Sequence, residues 1–257
     1  MKLIVGLLAW FVCAYAAADF DKYFAGYDGC FAMLDVDTGK WVRYNEKRCA
    51  EQFPPCSTFK IVKSLVALET GAVKNPDDVE KWTGEKSGWD PNHDLSMREA
   101  FKASSNWYYK KIGQRVGLKS EEDYVHKLHY GNDDTTRGGA MYWADAKNGS
   151  LRISADQECE FMRDFMLGKL PFAQKNIDTV KEIMTMSSDA SHSFGGKTGS
   201  GSDPKTGERN FNWFVGYVTN GAHRYVFAAN ITKKGEIQDR FQAMNISKSI
   251  MKDLGII

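Results

Sequence analysis

The sequence has no surplus of charge of either sign: 34 Lys and Arg stand against 33 Asp and Glu, a net of +1 with the histidines neutral. So balanced a chain offers no electrostatic footprint for nucleic acid or an anionic membrane surface, and a small-molecule substrate suits it better. It also lacks metal-ligand spacing. No CxxC or HxxxH occurs, and His93, His126, His129, His192 and His223 are scattered, so no metal is expected. After the first residues there is no second apolar run of about 20 residues, which argues against a stable transmembrane anchor. No repeat, linker or low-complexity tract divides the chain, so residues 19–257 read as one domain, and no feature specifies an oligomer. A hydrophobic share of 42% with 13% aromatics is ample for a core and excludes disorder.

What is present begins with Lys2, an apolar run from Leu3 to Val12 and small residues from Ala14 to Ala18, ahead of the charged Asp19. That is the pattern of a secretory signal peptide over residues 1–18, too short to span a hydrocarbon core of roughly 30 Å. Ala14 and Ala16 offer an A-x-A cleavage site, so the mature chain is expected to begin near Ala17 or Asp19 and to be exported, to a periplasm or to the medium. Trp10, Phe11 and Val12 before Cys13 are a poor match to a lipobox. Cys30, Cys49, Cys56 and Cys159 then remain, an even number in a chain bound for an oxidising compartment. With a hairpin turn at Asp37 to Lys40, Cys30 lies nearly opposite Cys49. A Cys30–Cys49 bridge is the first expectation and Cys49–Cys56 its rival.

Gly29 to Asp35 and Trp41 to Tyr44 read as a β-hairpin across Asp37, Thr38 and Gly39. From Ser57 to Glu69, Ile61, Val62, Leu65, Val66 and Leu68 recur at helical spacing behind Pro54 and Pro55, so a helix is expected to start at or near Ser57. Leu95 to Leu170 is helix-rich, interrupted by an irregular loop from Gly131 to Gly139. Strands return at Asn212 to Val218 and Arg224 to Ile231, and Gln238 to Leu254 reads as a closing helix. The expected fold is α+β: an antiparallel sheet of N- and C-terminal strands, flanked by helices, with a mainly helical middle region.

Ser57, Thr58, Phe59 and Lys60 spell SxxK, a spacing that puts hydroxyl and amine on one helix face. A serine hydroxyl is a poor nucleophile until a base takes its proton, and a lysine serves only if its surroundings hold it neutral or convert it. The helix N-terminus would aim the Ser57 backbone N–H at a developing oxyanion. SxxK alone is common by chance, and the plain reading is a solvated helix start. It is followed in order by Ser104, Ser105 and Asn106 (SxN), Tyr130, Gly131 and Asn132 (YGN), and Lys197, Thr198, Gly199 and Ser200 (KTGS). The combination is the signature of serine β-lactamases and penicillin-binding proteins. Ser104 beside Lys60 and Lys197 can shuttle a proton to the leaving nitrogen. Lys197 is expected to supply fixed positive charge. Thr198 and its strand can align a substrate carboxylate and amide, with the Ser200 N–H as second oxyanion donor. Gly195, Gly196 and Gly199 let the backbone approach closely. A second KTG at Lys205, Thr206 and Gly207 reads as a hairpin tip with a structural role.

PCSTFKIVKSLVALETG, HYGN, Trp143 thirteen residues after Tyr130, LRISADQ, GGKTGSG and NWFVGYV together resemble class D, oxacillinase-type β-lactamases, from about Gly29 to Ile250. The resemblance implies β-lactam hydrolysis through an acyl-enzyme on Ser57. It implies a Lys60 carboxylated on nitrogen by carbon dioxide as general base, with no other cofactor, and Trp143 as the residue that binds this carbamate; without the family pattern Trp143 would read as a core aromatic. Asn106, Tyr130, Thr198, Gly199, Ser200 and Arg240 complete the expected substrate-binding set. The chain departs from the pattern twice. Asn106 stands where class D enzymes usually carry Val or Ile, as it does in penicillin-binding proteins and β-lactam sensor domains. Ser247 precedes Lys248, Ser249 and Ile250 where the family tends to have an arginine, so the substrate carboxylate is left to Thr198, Ser200, Lys197 or Arg240. A D-alanyl-D-alanine peptidase and a sensor that stays acylated are the competing functions; Asn106 favours the sensor.

Overall fold

The computed structural model describes residues 19–84, 86, 90–139, 142–144, 149–202, 206 and 208–257. The expected signal segment therefore lies outside the described residues, as does most of the second KTG. β1 (Asp28–Asp35) and β2 (Trp41–Tyr44) form the hairpin read from the sequence, with Phe31 opposite Tyr44 and Leu34 opposite Trp41. The Asp35 carboxylate accepts the Asp37 and Thr38 N–H groups to close the turn, the usual work of an aspartate there. The short α1 (Glu46–Ala50) follows.

The SxxK segment enters as a 3-10 turn, Cys56–Phe59, and becomes helical only at α2 (Lys60–Glu69). Two prolines ahead of it and a left-handed Cys56, φ 52°, prevent an earlier start. The middle of the chain supplies α3 (Met97–Ala103), α4 (Asn106–Val116), α5 (Leu118–Leu128) and α6 (Ala155–Met166). Ser96 and Ser154 each open a helix with a reciprocal capping box, to Glu99 and Gln157. After α7 (Gln174–Met184) come β3 (Thr185–Ser188), β4 (His192–Gly201), β5 (Phe211–Asn220), β6 (His223–Thr232) and the closing α8 (Gln242–Asp253).

The strands make one antiparallel sheet in the order β2-β1-β6-β5-β4-β3, so the first and last thirds of the chain join in one sheet at the β1–β6 pair, as expected for this α+β fold. β5 is buried over Phe211 to Val218 because both its faces are covered. Phe214, Phe227, Ile231, Ile246 and Ile250 pack between sheet and α8, whereas Leu65, Tyr109, Cys159, Trp213 and Tyr217 belong to the larger core among the remaining helices. KTG lies inside β4 rather than ahead of a strand, in a segment whose glycines hide strand character from its composition. β3 covers β4 only as far as the Thr185–Gly195 pair, leaving the outer edge of β4 from Gly196 to Gly201 without a strand partner among the described residues.

The expected disulfide is not formed. Cys30, Cys49, Cys56 and Cys159 are all buried free thiols. Cys49 sits on α1, past the end of the hairpin, and its thiol donates to the carbonyls of Phe31 and Tyr44 at 3.5 and 3.3 Å. Cys30 is nevertheless near enough to hydrogen-bond Cys49, and this contact together with burial pushes the Cys49 thiol far up.

Candidate active site

Ser57 is the half-buried residue of an otherwise buried turn in which Cys56, Thr58, Phe59 and Lys60 are all inside. The 3-10 geometry matters, because residues three apart eclipse one another there, and Ser57 and Lys60 are three apart. The turn is held by the Cys56 N–H donating to the Trp143 carbonyl at 3.1 Å and the Thr58 hydroxyl donating to the Pro55 carbonyl at 2.7 Å.

The Lys60 side chain is fully buried and its amine donates to the Ser104 carbonyl (2.6 Å), the Ser104 hydroxyl (3.3 Å) and the Asn106 Oδ1 (2.8 Å). Burial, reinforced by Lys197, holds this amine well below the ordinary lysine range. Lys197 on β4 donates to the same Ser104 hydroxyl at 3.0 Å and to the Thr198 carbonyl at 3.0 Å. Ser104 thus bridges the two lysines. It does so from a left-handed conformation, φ 58°, at the end of α3, a conformation uncommon for a residue other than glycine and retained where a site depends on it. Lys197 departs from expectation. Its charge is not fixed, because burial, helped by Arg240, lowers it to about 7. Arg240 itself is exposed in the turn before α8 and stacks over Phe241.

Trp143 is buried beside both SxxK-helix lysines, with Lys60 Nζ 5.9 Å and Lys63 Nζ 5.5 Å from its ring centre. Asn106 opens α4, whose first N–H groups, from Asn106 and Trp107, donate to one oxygen of Asp90 at 2.8 and 3.0 Å. Gly199 is buried against the nucleophile turn: a Cβ there would stand 3.2 Å from the Pro55 carbonyl and 3.3 Å from the Thr58 methyl. Thr198 is half-buried and Ser200 exposed along the uncovered β4 edge, and the Asn212 amide donates to the Ser200 hydroxyl at 3.3 Å.

Tyr130 corrects the sequence reading. It is 2% exposed, and its hydroxyl donates into the core to Glu158 at 2.9 Å, so it is turned away from any substrate. Its neighbours are held by residues 150–152, although Asn132 itself is exposed. Gly131, φ 64°, has the Arg152 carbonyl 2.0 Å from where a Cβ would be, and Asn132 donates to the Ser150 carbonyl while accepting from the Arg152 N–H. YGN is the frame that fixes residues 150–152 and the start of α6.

Sequence reading missed Lys63, Glu121, Asp90 and Glu158. Lys63 pairs with Glu121 at 2.5 Å, both buried, and Tyr142 donates to the other Glu121 oxygen at 3.0 Å. The repeat of lysine at Lys60 and Lys63 on a helix otherwise apolar was the available signal. Among the described residues no group of histidine, cysteine and carboxylate side chains could hold a metal.

Residues 29–254 match the family described as the penicillin binding protein transpeptidase domain. The chain belongs to that family. It is 30% identical to the probable β-lactamase YbxI of Bacillus subtilis (strain 168), over 92% of this chain and 85% of that one. It is 31% identical, over 92% of its length, to the regulatory protein BlaR1 of Bacillus licheniformis, but spans only 38% of BlaR1. Among solved structures, a class D β-lactamase from Bacillus subtilis superposes with a TM-score of 0.83 at 30% identity, covering 94% of this chain and 97% of that one. FUS-1 (OXA-85), a class D β-lactamase from Fusobacterium nucleatum subsp. polymorphum, gives 0.83 at 30% identity over 93% and 98%. Within the family the protein is a serine β-lactamase of the class D type.

Proposed function

We propose that this protein is exported and hydrolyses β-lactam antibiotics through an acyl-enzyme on Ser57. The observation that carries this reading is the hydrogen-bonded chain Lys60–Ser104–Lys197, with both lysines buried, beside the half-exposed Ser57. A lysine amine held neutral can take the Ser57 proton as the hydroxyl attacks the ring carbonyl. The backbone N–H groups of Ser57 and Ser200 stabilise the resulting oxyanion. Ser104, hydrogen-bonded to both lysines, passes the proton to the departing ring nitrogen, and Lys197 can resupply it because it titrates near neutrality. The uncovered β4 edge takes the substrate as an added strand, with Thr198, Ser200 and Arg240 at the carboxylate and Gly199 letting the strand pack on the nucleophile turn.

Only a neutral amine attacks carbon dioxide, so the depressed, buried Lys60 fits N-carboxylation, with Trp143, Ser104 and Asn106 around the modified group. The carbamate would supply a general base for the deacylating water. A second reading, a sensor or penicillin-binding protein that acylates and releases slowly, is favoured by one contact: the Asn106 Oδ1 accepts from the Lys60 amine at 2.8 Å and holds it as an amine. The similarity to BlaR1 points the same way.

Intact mass of the mature protein against time in excess penicillin, with and without bicarbonate and alongside ring absorbance, tests both. Continuing ring loss, faster with bicarbonate, and an adduct that fades as drug is consumed are expected of the hydrolase. A stoichiometric adduct on Ser57 that persists without further ring loss would establish the second reading.

A further inference from the structure

Glu158 on α6 lies directly behind the nucleophile turn and takes no part in the chemistry above. Its side chain is wholly buried and its hydrogen-bond partners are two hydroxyls, of Thr58 at 2.8 Å and Tyr130 at 2.9 Å, both on Oε1. Oε2 is buried with no hydrogen-bond partner among the described residues. The charged groups on neighbouring elements are engaged elsewhere: Arg43 on β2 with Asp156, and Arg48 on α1 with Asp28 and Asn230. Lys60, at the end of the turn, is held by Ser104 and Asn106, and the thiols and phenol around Glu158 are neutral donors. Burial pushes up the thiols of Cys159 on its own helix and Cys56 on the turn, and burial with Glu158 itself pushes up the Tyr130 phenol.

Counting protons decides the form of this carboxyl. The Thr58 Oγ1 stands 2.7 Å from the Pro55 carbonyl and 2.8 Å from Glu158 Oε1, yet a threonine hydroxyl has one proton. The Pro55 carbonyl has none to give. If Thr58 donates to Pro55, the second contact is a hydrogen bond only when Glu158 donates. If Thr58 donates to Glu158 instead, two lone-pair oxygens are pressed together at 2.7 Å in a dry core. A protonated Glu158 satisfies both contacts, and it leaves at Oε2 an unpaired carbonyl oxygen, far less costly than an unpaired carboxylate oxygen.

We propose that Glu158 is a protonated carboxylic acid in the working enzyme and a positioning residue: its proton ties Thr58, and through it the Pro55–Ser57 turn, to α6, so that ionisation loosens the nucleophile. The effect on catalysis rests on Ser57 being the nucleophile; the protonated state does not. Burial sets the carboxyl at about 7, which places its ionisation where activity is measured.

Two measurements test this. In infrared difference spectra of the parent against Glu158→Gln, without any β-lactam, the parent should show the carbonyl band of a protonated carboxylic acid below pH 7 and lose it above. A carboxylate spectrum throughout would overturn the proposal, as would a protonated band that never titrates. The second is the pH profile of kcat/KM for penicillin. A glutamine amide nitrogen in the Oε1 position donates to Thr58, and with its second proton to the Tyr130 hydroxyl, at every pH, so Glu158→Gln should lack one alkaline step near 7 that the parent has. Superimposable profiles would assign that step to Lys197 and overturn the positioning role. A Glu158→Gln protein that does not fold leaves the parent's own titrating band to decide the protonation state, with Glu158→Ser plus added formate as the rescue test of the profile. No ring loss by either protein, with the infrared result standing, would count against the hydrolase and not against the protonated Glu158.

Discussion

Two groups of motif residues sit within one core and do opposite work. Lys60, Ser104 and Lys197 direct their polar atoms at one another beside the half-exposed Ser57, whereas Tyr130 spends its hydroxyl on Glu158, Asn132 its amide on Arg152 and Ser150, and the Gly131 carbonyl accepts from Gln157. The first group is electrostatically uncomfortable: two buried lysines share one serine, and both are driven toward the neutral form. The second is comfortable, each polar atom meeting a partner of matching kind. Residues that recur together in a sequence pattern therefore need not meet the substrate together; a site of the first kind requires a frame of the second.

Ser57→Ala should abolish covalent labelling by penicillin altogether, read by intact mass, and an adduct on that variant would remove Ser57 from the first group. Lys60→Ala should keep binding but lose roughly 10²–10⁴-fold in turnover, the contribution of a positioned general base. Parental turnover would mean that Lys60 is part of the frame. Gly131→Ala should act the other way, costing on the order of 3 kcal/mol in chemical denaturation through its left-handed φ and the Arg152 carbonyl, while the folded fraction labels at the parental rate. A stable but slowly labelled Gly131→Ala would dissolve the distinction.

The smallest effect concerns Lys197. Its folded-state value of about 7 lies below the roughly 10.4 of an unfolded lysine, so between these the unfolded chain binds more protons and stability rises with pH. The cost of burying the charge is fully present below about 7 and gone above roughly pH 10. Denaturant midpoints across that window should climb in the parent and climb less in Lys197→Met, and equal slopes would show that Lys197 is not held neutral by burial.

The hairpin, the α2 helix and β5 and β6 were legible because period and turn residues speak locally: Thr38 and Gly39 between two apolar runs, Asn220 and Gly221 between two more. The SxxK, SxN and KTG residues were legible because their spacing is itself the chemistry. What stayed hidden is contact between distant segments. Glu158 lies 100 residues from Thr58 and 28 from Tyr130, and on its own helix nothing marks it off from a solvated glutamate. Glu121 is equally unremarkable until Lys63, 58 residues away, is placed against it. Tyr130 was misjudged for the same reason, since a tyrosine beside glycine and asparagine carries no sign of which way its ring turns. The cysteines misled because hairpin register says nothing of a thiol on the helix after it.

The bare edge of β4 has a consequence for the company the protein keeps. An unpaired length of strand is ordinarily an invitation to another chain, which can add itself by main-chain bonding. This edge is built from Gly196, Lys197, Thr198, Gly199, Ser200 and Gly201, half of them glycine, with few side chains to reward a long-lived partner. A short, rigid molecule that brings its own reactive bond can dock there, while a neighbouring polypeptide gains too little to stay. The receptor is left open without becoming adhesive.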